Sequence, residues 1–355
     1  MSWQIIVGSW QLRQRHLGIF TGIFLLITCH LSLVSLWSGS GRSGAQFLKI
    51  GAGARGIGLG SAYTAIANDI TALYWNPAGL NHMKQKEFGF MHASWLAGTN
   101  YEFAGIGLPL SNHTIGIGAM YLNSGKLEGR SETGEPGGDF GASDLCVTIS
   151  GARRIRVNDK REKVNGNQID MGVSLKLIEQ RIADEKANGI ALDLGMSWQA
   201  LSGQRSVSRL SHNSYRLPIA FGLAIKNIGT KMKFINEAYN LPLTITAGGG
   251  YNLLGSLVLT ADISREIYDR KTSLSMGIEY SPMNIISLRA GYLYQAAYKL
   301  LTSSNNLFAN EKSISDFTGL SAGLGINYSG YNLDYSLVPY ADLGLTNRLS
   351  FKVQF

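Results

Sequence analysis

The chain has 355 residues, of which 16% are charged and 43 are glycine. Soluble domains carry about 25% charged residues, so this composition disfavours an ordinary soluble enzyme. Tyrosine (16) and phenylalanine (13) are plentiful while proline is scarce at 7, which suits a protein that exposes apolar surface to lipid. The net charge of +8 is modest and disfavours a nucleic-acid interface.

Residues 1–45 predict a secretory signal peptide. Arg13 and Arg15 begin it, residues 17–37 form its apolar stretch, and Ser43-Gly44-Ala45 offers small residues for cleavage before Gln46. The segment holds three Arg and no acidic residue, so its removal lowers the net charge from +8 to +5.

Two alternatives remain open for the N-terminal segment. The apolar stretch is long enough for an uncleaved membrane anchor, and Cys29 could mark a lipoprotein. Cleavage is favoured because the following sequence is typical of an exported protein. Cys146 would then be the only cysteine, with no disulfide partner and no metal-ligand spacing, and we expect it to be buried on a strand.

From residue 88 onward the dominant hydrophobic period is two, which predicts β-strands. In Ile190–Gln199 the large apolar residues occupy one face, while Asp193, Gly195 and Ser197 occupy the other. Fourteen such segments are predicted, near residues 88–96, 101–109, 114–123, 142–152, 167–180, 187–200, 216–227, 242–252, 255–265, 272–281, 285–295, 317–328, 331–338 and 346–355.

These segments predict an all-β fold, a transmembrane antiparallel barrel. Most reach the ~9–11 residues that a tilted strand needs to cross a bilayer, and the even number is typical of bacterial single-chain barrels. The Gly- and Ser-rich second face suits a crowded lumen better than the surface of a soluble β-sandwich. The predicted organisation is a signal peptide (1–45), an N-terminal plug (46–87) and the barrel (88–355).

Connection lengths support the barrel. Several predicted turns are tight, at 111–112, 253–254, 282–283 and 329–330, whereas 124–141, 228–241 and 296–316 are long. Short periplasmic turns and longer outer loops are typical of outer-membrane barrels. The connections 153–166 and 201–215 do not fit this rule, and the first holds a basic run, for which a solvated loop is the simplest interpretation and contact with anionic headgroups or a partner the alternative.

The final strand ends on alternating apolar residues and a terminal aromatic, which resembles the C-terminal assembly signal of outer-membrane proteins. Its residues are Phe351, Val353 and Phe355. The alternative is an ordinary strand that ends in phenylalanine. The signal interpretation makes the barrel-assembly machinery and outer-membrane lipid expected partners.

The plug region contains Gly51-Ala-Gly53-Ala-Arg-Gly56, a match to the G-x-G-x-x-G pattern. A dinucleotide site also requires a preceding strand, a following helix and a parallel sheet, none of which the sequence predicts. These glycines are better explained by close packing and by turns with positive φ.

The plug resembles the PorV/PorQ family of outer-membrane proteins, relatives of the FadL-type fatty-acid transporters. The resemblance covers nearly the whole mature chain and is carried by the stretches 47–51, 54–56, 68–69, 72–80, 289–292 and 335–344. Asn68 stands where an Asp is usual in the family. The resemblance implies a fourteen-stranded FadL-like barrel with a plug, whose motif residues here are Arg55, Gly56, Asp69, Asn76, Pro77 and Gly79.

Eight charged residues are predicted to point into the lumen, because a charge that faces lipid is costly. They are Asp170, Lys176, Asp193, Asp262, Glu279, Arg289, Asp334 and Lys352. Since both signs are present, we expect ion-paired packing in a filled lumen. The alternative is a polar lining that selects a solute.

No catalytic, metal-binding or cofactor-binding motif is present, and we expect a non-enzymatic protein with no nucleic-acid partner. The resemblance implies a component of type IX protein secretion that binds a large translocon or the C-terminal sorting domains of secreted cargo. The alternative is a FadL-like transporter of hydrophobic compounds. The polar, glycine-rich inward faces argue mildly against that alternative, and a large open pore is disfavoured because a plugged fourteen-stranded barrel leaves little free lumen.

Overall fold

The computed structural model describes residues 42–131, 133–156, 168–199, 219–253, 255–295, 318–340 and 343–355. Its strands are Glu87–Ser94 (β1), Asn100–Pro109 (β2), His113–Leu127 (β3), Phe140–Arg156 (β4), Gln168–Ile182 (β5), Glu185–Gln199 (β6), Ile219–Gly229 (β7), Met232–Phe234 (β8), Glu237–Tyr239 (β9), Thr244–Leu253 (β10), Leu257–Glu266 (β11), Lys271–Met283 (β12), Ile286–Gln295 (β13), Leu320–Tyr328 (β14), Tyr331–Pro339 (β15) and Leu345–Gln354 (β16).

Fourteen of these strands form one closed antiparallel barrel, as the sequence predicted. Each strand pairs with its neighbours in chain order, and β1 closes the sheet on β16 with Glu87 opposite Gln354 and Phe90 opposite Phe351. Closure satisfies the backbone groups that lipid cannot. The remaining strands, β8 and β9, form a separate hairpin between β7 and β10.

The outward faces of the strands are apolar, as period-two alternation requires. On β5, Met171, Val173 and Leu175 are exposed, while Asp170, Ser174 and Lys176, on the alternate positions, are buried. Aromatic pairs also lie on the outward face, and Tyr331 stacks on Phe351 with ring centroids 6.2 Å apart. This wall matches the lipid-facing band of an outer-membrane barrel.

The two ends of the barrel differ in their connections. The turns 110–112, 284–285 and 329–330 lie at the end where β1 begins and β16 finishes, and the longer connection 128–139 and the β8–β9 hairpin lie at the other end. We assign the first end as periplasmic, because short turns mark that side, and call the other the outer end.

The described part of the chain before β1, residues 42–86, is mostly irregular. It contains two short α-helices, Ala54–Gly58 and Ala72–Trp75, and two 3₁₀ turns, Gln46–Lys49 and Pro77–His82. A third 3₁₀ turn, Leu96–Gly98, joins β1 to β2. Among the described residues, no helix is both long and apolar enough to cross a membrane.

The predicted connection 153–166 is wrong at its start. Strand β4 continues to Arg156, and Arg154 lies opposite Asp170 of β5. The inward guanidinium of Arg154 pairs with the Asp170 carboxylate at 2.9 Å, so a basic residue extends the strand. The predicted signal segment up to residue 41 and the predicted outer loop 296–316 lie outside the described residues.

The C-terminal residues lie at the periplasmic end. Phe351 and Phe355 are exposed on the wall, and the Phe355 N–H donates to the carbonyl of Lys86 at 2.9 Å. Their role as an assembly signal stays a prediction.

Candidate functional site

The segment before β1 threads the barrel from the outer end to the periplasmic end. At the outer end, the Gly44 N–H donates to Asn240 O at 2.8 Å. At the periplasmic end, the side chains of Asn81 and His82 contact Asp170, with His82 Nε2 2.9 Å from the carboxylate. The lumen therefore contains a plug along its whole length.

Inward-facing glycines let the plug backbone approach the wall. A Cβ at Gly222 would lie 2.5 Å from Thr64 O, and a Cβ at Gly277 would lie 2.5 Å from Leu59 O. The same close approach occurs at Gly172, Gly195 and Gly291. Any larger side chain there would collide with plug backbone, so these glycines fix how deeply the plug is seated.

Six charged side chains form a chain of five ion pairs between plug and wall; the Tyr63 hydroxyl bridges its two ends, and we call the set the charge ring. Its members, in order, are Arg55, Glu279, Arg289, Asp334, Lys352 and Asp69. Arg55 makes a bidentate contact with Glu279, at 2.8 and 2.7 Å. Lys352 Nζ lies 2.6 Å from Asp69 Oδ2. The ring holds three cations and three anions, so it is neutral, and its two ends belong to the plug.

Tyr63 links the two plug members of the ring. Arg55 Nη1 donates to the Tyr63 hydroxyl at 3.0 Å, and that hydroxyl lies 3.2 Å from Asp69 Oδ2. Asn68 accepts a further hydrogen bond from Arg55 Nη1 at 2.7 Å. Because Asn68 is neutral, this contact leaves the ring with equal numbers of cations and anions.

The charge ring makes the protein sensitive to acid. Burial opposes the charge on Asp69, but the attraction of Lys352 and of Arg55, with hydrogen bonds from Lys352 and Thr71, lowers its pKa from 3.8 to about 2. A carboxylate with a lowered folded-state pKa stabilises the fold fully above its unfolded pKa and loses that effect as pH falls toward the folded value.

We therefore expect the free energy of unfolding to drop by about 2 kcal/mol from this group alone between about pH 5 and pH 2. Urea unfolding in lipid vesicles, followed by tryptophan fluorescence, measures the drop. Asp69→Asn should remove that part of the pH dependence, whereas Asp184→Asn, in an exposed turn, should keep it. An unchanged pH dependence in Asp69→Asn would contradict the assignment.

The other predicted lumen residues also lie inside the wall. Asp262 accepts the N–H groups of Tyr63 and Thr64 at 3.0 and 2.9 Å. Lys176 pairs with Asp193 at 2.5 Å. All eight predicted residues are at most 7% exposed, and six of them touch the plug or the ring.

The Lys176–Asp193 pair marks an irregularity in the wall. Asn227 has a positive φ of 63°, its N–H donates to Asp193 at 2.7 Å, and its side-chain oxygen accepts from Lys176 at 2.9 Å. The β6–β7 register shifts between Leu192 and Leu194. This buried network therefore replaces regular strand pairing at that point.

The remaining plug-motif residues shape the plug itself. The Asn76 side chain caps the turn Pro77–His82 by accepting from Ala78 N at 3.1 Å, and it donates to Thr64 O at 3.0 Å. A Cβ at Gly56 would lie 2.9 Å from the Trp75 ring, and one at Gly79 would lie 2.6 Å from Ala67 O. Among the motif residues, only Arg55 and Asp69 belong to the charge ring.

A second contact between plug and barrel lies at the outer end. Lys49 Nζ is 2.7 Å from Glu266 Oε2 and also pairs with Asp269. The Ser43 hydroxyl donates to Asp269 at 2.7 Å. Burial opposes the charge on Asp269, but the hydrogen bonds from Lys49 and Ser43 outweigh it and lower the pKa of that carboxyl. This outer latch was not predicted, since the positions of Lys49 and Asp269 in the sequence show no shared pattern.

On the side formed by β15 and β1–β5, the outer half of the lumen is largely apolar, in contrast to the polar inward face expected from the sequence. Its wall side chains, which define the outer chamber, are Trp95, Tyr101, Phe103, Met120, Cys146, Ile178, Val338 and Tyr340. Phe47, Leu48 and Ile50 of the plug belong to the same buried cluster, and Ile50 O accepts from the Tyr101 hydroxyl at 3.0 Å. The N-terminal part of the plug therefore fills the outer chamber.

Two buried cations border the outer chamber without a carboxylate partner among the described residues. Lys226 Nζ lies 4.4 Å from the Tyr74 ring centroid, and Arg348 Cζ lies 4.8 Å from that of Trp95. Arg348 is 1% exposed, and its Nε and Nη1 have no hydrogen-bond partner in the described part of the chain. Cation–π contacts stabilise these charges in part and leave donors available for an anionic group.

Comparisons with known proteins agree with the barrel fold. A model of the uncharacterised protein family UPF0164 matches residues 37–156, which cover the plug and β1–β4. No curated protein sequence matches the chain.

Solved structures with the same architecture include the toluene transporter TbuX of Ralstonia pickettii, at 12% identity and TM-score 0.54, over 86% of this chain and 98% of that one. The toluene transporter TodX of Pseudomonas putida aligns at 13% identity and TM-score 0.51, over 85% of this chain and 96% of that one. A FadL homologue of Pseudomonas aeruginosa aligns at 11% identity and TM-score 0.49, over 86% of this chain and 98% of that one. Identity at this level shows a shared fold alone, and the chain is accordingly a closed β-barrel of the same architecture as TbuX and TodX.

Proposed function

We propose that this protein is a non-enzymatic transporter that admits hydrophobic compounds through the outer membrane. The outer chamber carries the proposal. Its aromatic and aliphatic wall lies at the outer end of a plugged barrel, where a compound arriving from outside would enter. Ligand sites are typically apolar concavities with a few placed polar groups, and the chamber has this composition.

The names of the similar structures also support a transport function. TbuX and TodX are named as toluene transporters, and toluene is a small apolar molecule that requires a largely apolar route. The apolar outer chamber also removes the objection that the inward faces are uniformly polar. The polar inward residues lie deeper, where they contact the plug or one another.

The chemistry of the chamber suggests an apolar molecule that can bear an acidic group. Lys226 and Arg348 supply buried positive charge, and neither forms an ion pair among the described residues. An incoming carboxylate would form charge-assisted hydrogen bonds there, stronger than neutral ones. A neutral apolar compound would use the aromatic wall alone.

Entry requires the N-terminal part of the plug to give way, because Phe47 and Leu48 occupy the chamber. The outer latch of Ser43 and Lys49 holds this segment, whereas the charge ring and the glycine contacts hold the deeper plug. The segment 42–50 is therefore the part that a ligand would displace first.

Uptake by cells tests the transport proposal. In a Gram-negative host that lacks its own barrel for hydrophobic compounds, this protein should increase the initial uptake of radiolabelled toluene and of a long-chain fatty acid. Arg348→Leu should lower fatty-acid uptake about tenfold, because a hydrogen bond to a charged group contributes about 1.5–3 kcal/mol, and should leave toluene uptake unchanged. Arg181→Leu, on the exposed outer end of β5, serves as the matched control. Uptake no higher than in cells without the protein would overturn the transport proposal.

A role in type IX secretion is the second candidate. The deep plug favours it, because interlocked backbone and the charge ring close the lumen to free passage and leave the outer loops as the working surface. The sequence resemblance to the PorV/PorQ family supports the same role. A mild-detergent pull-down from native outer membranes with mass spectrometry distinguishes the candidates. A very large barrel, or secreted proteins with a shared C-terminal domain, would support secretion, and recovery of the protein alone with long-chain lipid would support transport.

A further inference from the structure

A polar cavity of about 500 Å³ opens at the periplasmic end of the barrel. The linker from the plug to β1, the β2–β3 turn and the end of β4 form its walls. The residues that matter for its chemistry are Lys84, Ser111, Asn112, Arg153 and Arg154. The charge ring and the outer chamber contribute no residue to this cavity.

Hydrogen bonds hold the walls of the cavity together. The Arg154 N–H donates to Asn112 O at 3.3 Å, which joins β4 to the β2–β3 turn. The Arg154 guanidinium donates to Asn81 O at 3.3 Å, which joins the same strand to the plug. Three separate segments are therefore fixed around one space.

The cavity is lined by many hydrogen-bond donors and few charged hydrogen-bond acceptors. Among the described residues, no carboxylate lines it. Arg154 shares its charge with Asp170, at 2.9 Å. Lys84 and Arg153 form no ion pair among the described residues, and the exposed side chains of Ser111 and Asn112 add hydroxyl and amide donors. Lysine and arginine beside neutral donors are the groups that bind phosphate.

We propose that this cavity binds a phosphate group. A membrane phospholipid and a free phosphate ion share this chemistry. The position favours the lipid, since Leu108, Leu110 and Ile115 are exposed beside the cavity and would receive acyl chains while Arg153 and Lys84 hold the headgroup. Basic groups near a membrane surface each attract an anionic headgroup by about 1 kcal/mol.

Lipid retention by the full chain tests this site. Protein in mild detergent is equilibrated with phosphatidylglycerol or with diacylglycerol, which lacks phosphate, and retained lipid is counted by native mass spectrometry. We expect retention of phosphatidylglycerol alone, and the variant Lys84→Gln/Arg153→Gln should weaken it by about an order of magnitude or more, from two groups at about 1 kcal/mol each. The matched control Arg181→Gln/Lys186→Gln removes the same charge at the exposed outer end of β5 and β6 and should retain the lipid. An unheated gel verifies that each variant is folded.

Titration of inorganic phosphate, followed by phosphorus NMR, distinguishes the two sources. Phosphate binding that the cavity variant loses, with no retained lipid, would support the site and assign it to the free ion. Retention of phosphatidylglycerol by wild type and cavity variant alike would overturn the proposal. Failure of wild type to bind either probe would overturn it as well.

Discussion

Replacing Asp334 with alanine is expected to destabilise the folded protein by about 3–5 kcal/mol, the cost typical of removing one partner from a buried ion pair. Asp334 is fully buried. It accepts from Arg289 Nη1 at 2.6 Å and lies 3.3 Å from Lys352 Nζ. Without it, the ring holds three cations and two anions in a space that water reaches poorly. Urea unfolding in lipid vesicles, followed by tryptophan fluorescence, measures the loss.

Two further variants show whether the effect comes from charge pairing. Asp334→Asn keeps the size and one acceptor oxygen, so its loss of stability should be smaller than that of Asp334→Ala. Asp184→Ala removes a carboxylate from an exposed turn and should change stability by no more than about 0.5 kcal/mol. If Asp334→Ala unfolds at the same urea concentration as the wild type, the ring does not stabilise the fold.

The charge ring also divides the plug into parts with different freedom. Arg55 and Asp69 are its two plug members, so the stretch between them is tied to the wall at both ends. The segment 42–50 precedes both and depends on the outer latch. In the transport role proposed above, a ligand in the outer chamber would therefore compete with the contacts of segment 42–50 before those that hold the deep plug. The plug between Arg55 and Asp69 would then remain a fixed barrier, while segment 42–50 could be displaced.

Period-two alternation was enough to predict the number of barrel strands and the inward position of the lumen charges. On a lipid-facing wall the outward residues must be apolar, so any charge within a strand has one acceptable direction. The pairing of those charges could not be predicted, because ring partners such as Lys352 and Asp69 are 283 residues apart in the chain. Their contact depends on how far the plug descends into the barrel.

The outer chamber was missed for a different reason. Period-two alternation predicts an apolar outward face and a polar inward face along each whole strand, but at the outer ends of several strands both faces are apolar. Adjacent apolar pairs such as Leu177-Ile178 and Leu337-Val338 carried that information in the sequence. Leu177 is exposed on the outer surface and Leu337 is half-buried, while Ile178 and Val338 belong to the buried cluster that includes the plug. Two adjacent apolar residues within an alternating strand therefore indicate the part of a barrel whose inward face is also apolar.

The glycine contacts lead to the second large effect. Gly222→Val should unseat the plug, because a Cβ there would lie 2.5 Å from Thr64 O and 2.7 Å from Ala65 Cα. Overpacking costs about 1–3 kcal/mol, and about 1.4 kcal/mol changes a population tenfold, so the displaced plug should become about tenfold more populated or more. Liposome swelling with a small sugar measures the resulting pore.

Gly249→Val is the matched control, since Gly249 lies on the neighbouring strand β10 and a Cβ there would meet nothing within 4 Å. Liposomes with this variant should be no more permeable to the sugar than liposomes with the wild type. The same pair of variants bears on function. If hydrophobic compounds pass through the lumen, Gly222→Val should change their uptake along with sugar permeability. A secretion component that works through its outer loops should keep its partners in both variants. Liposomes with Gly222→Val that stay as tight as those with Gly249→Val would show that these contacts do not hold the plug in place.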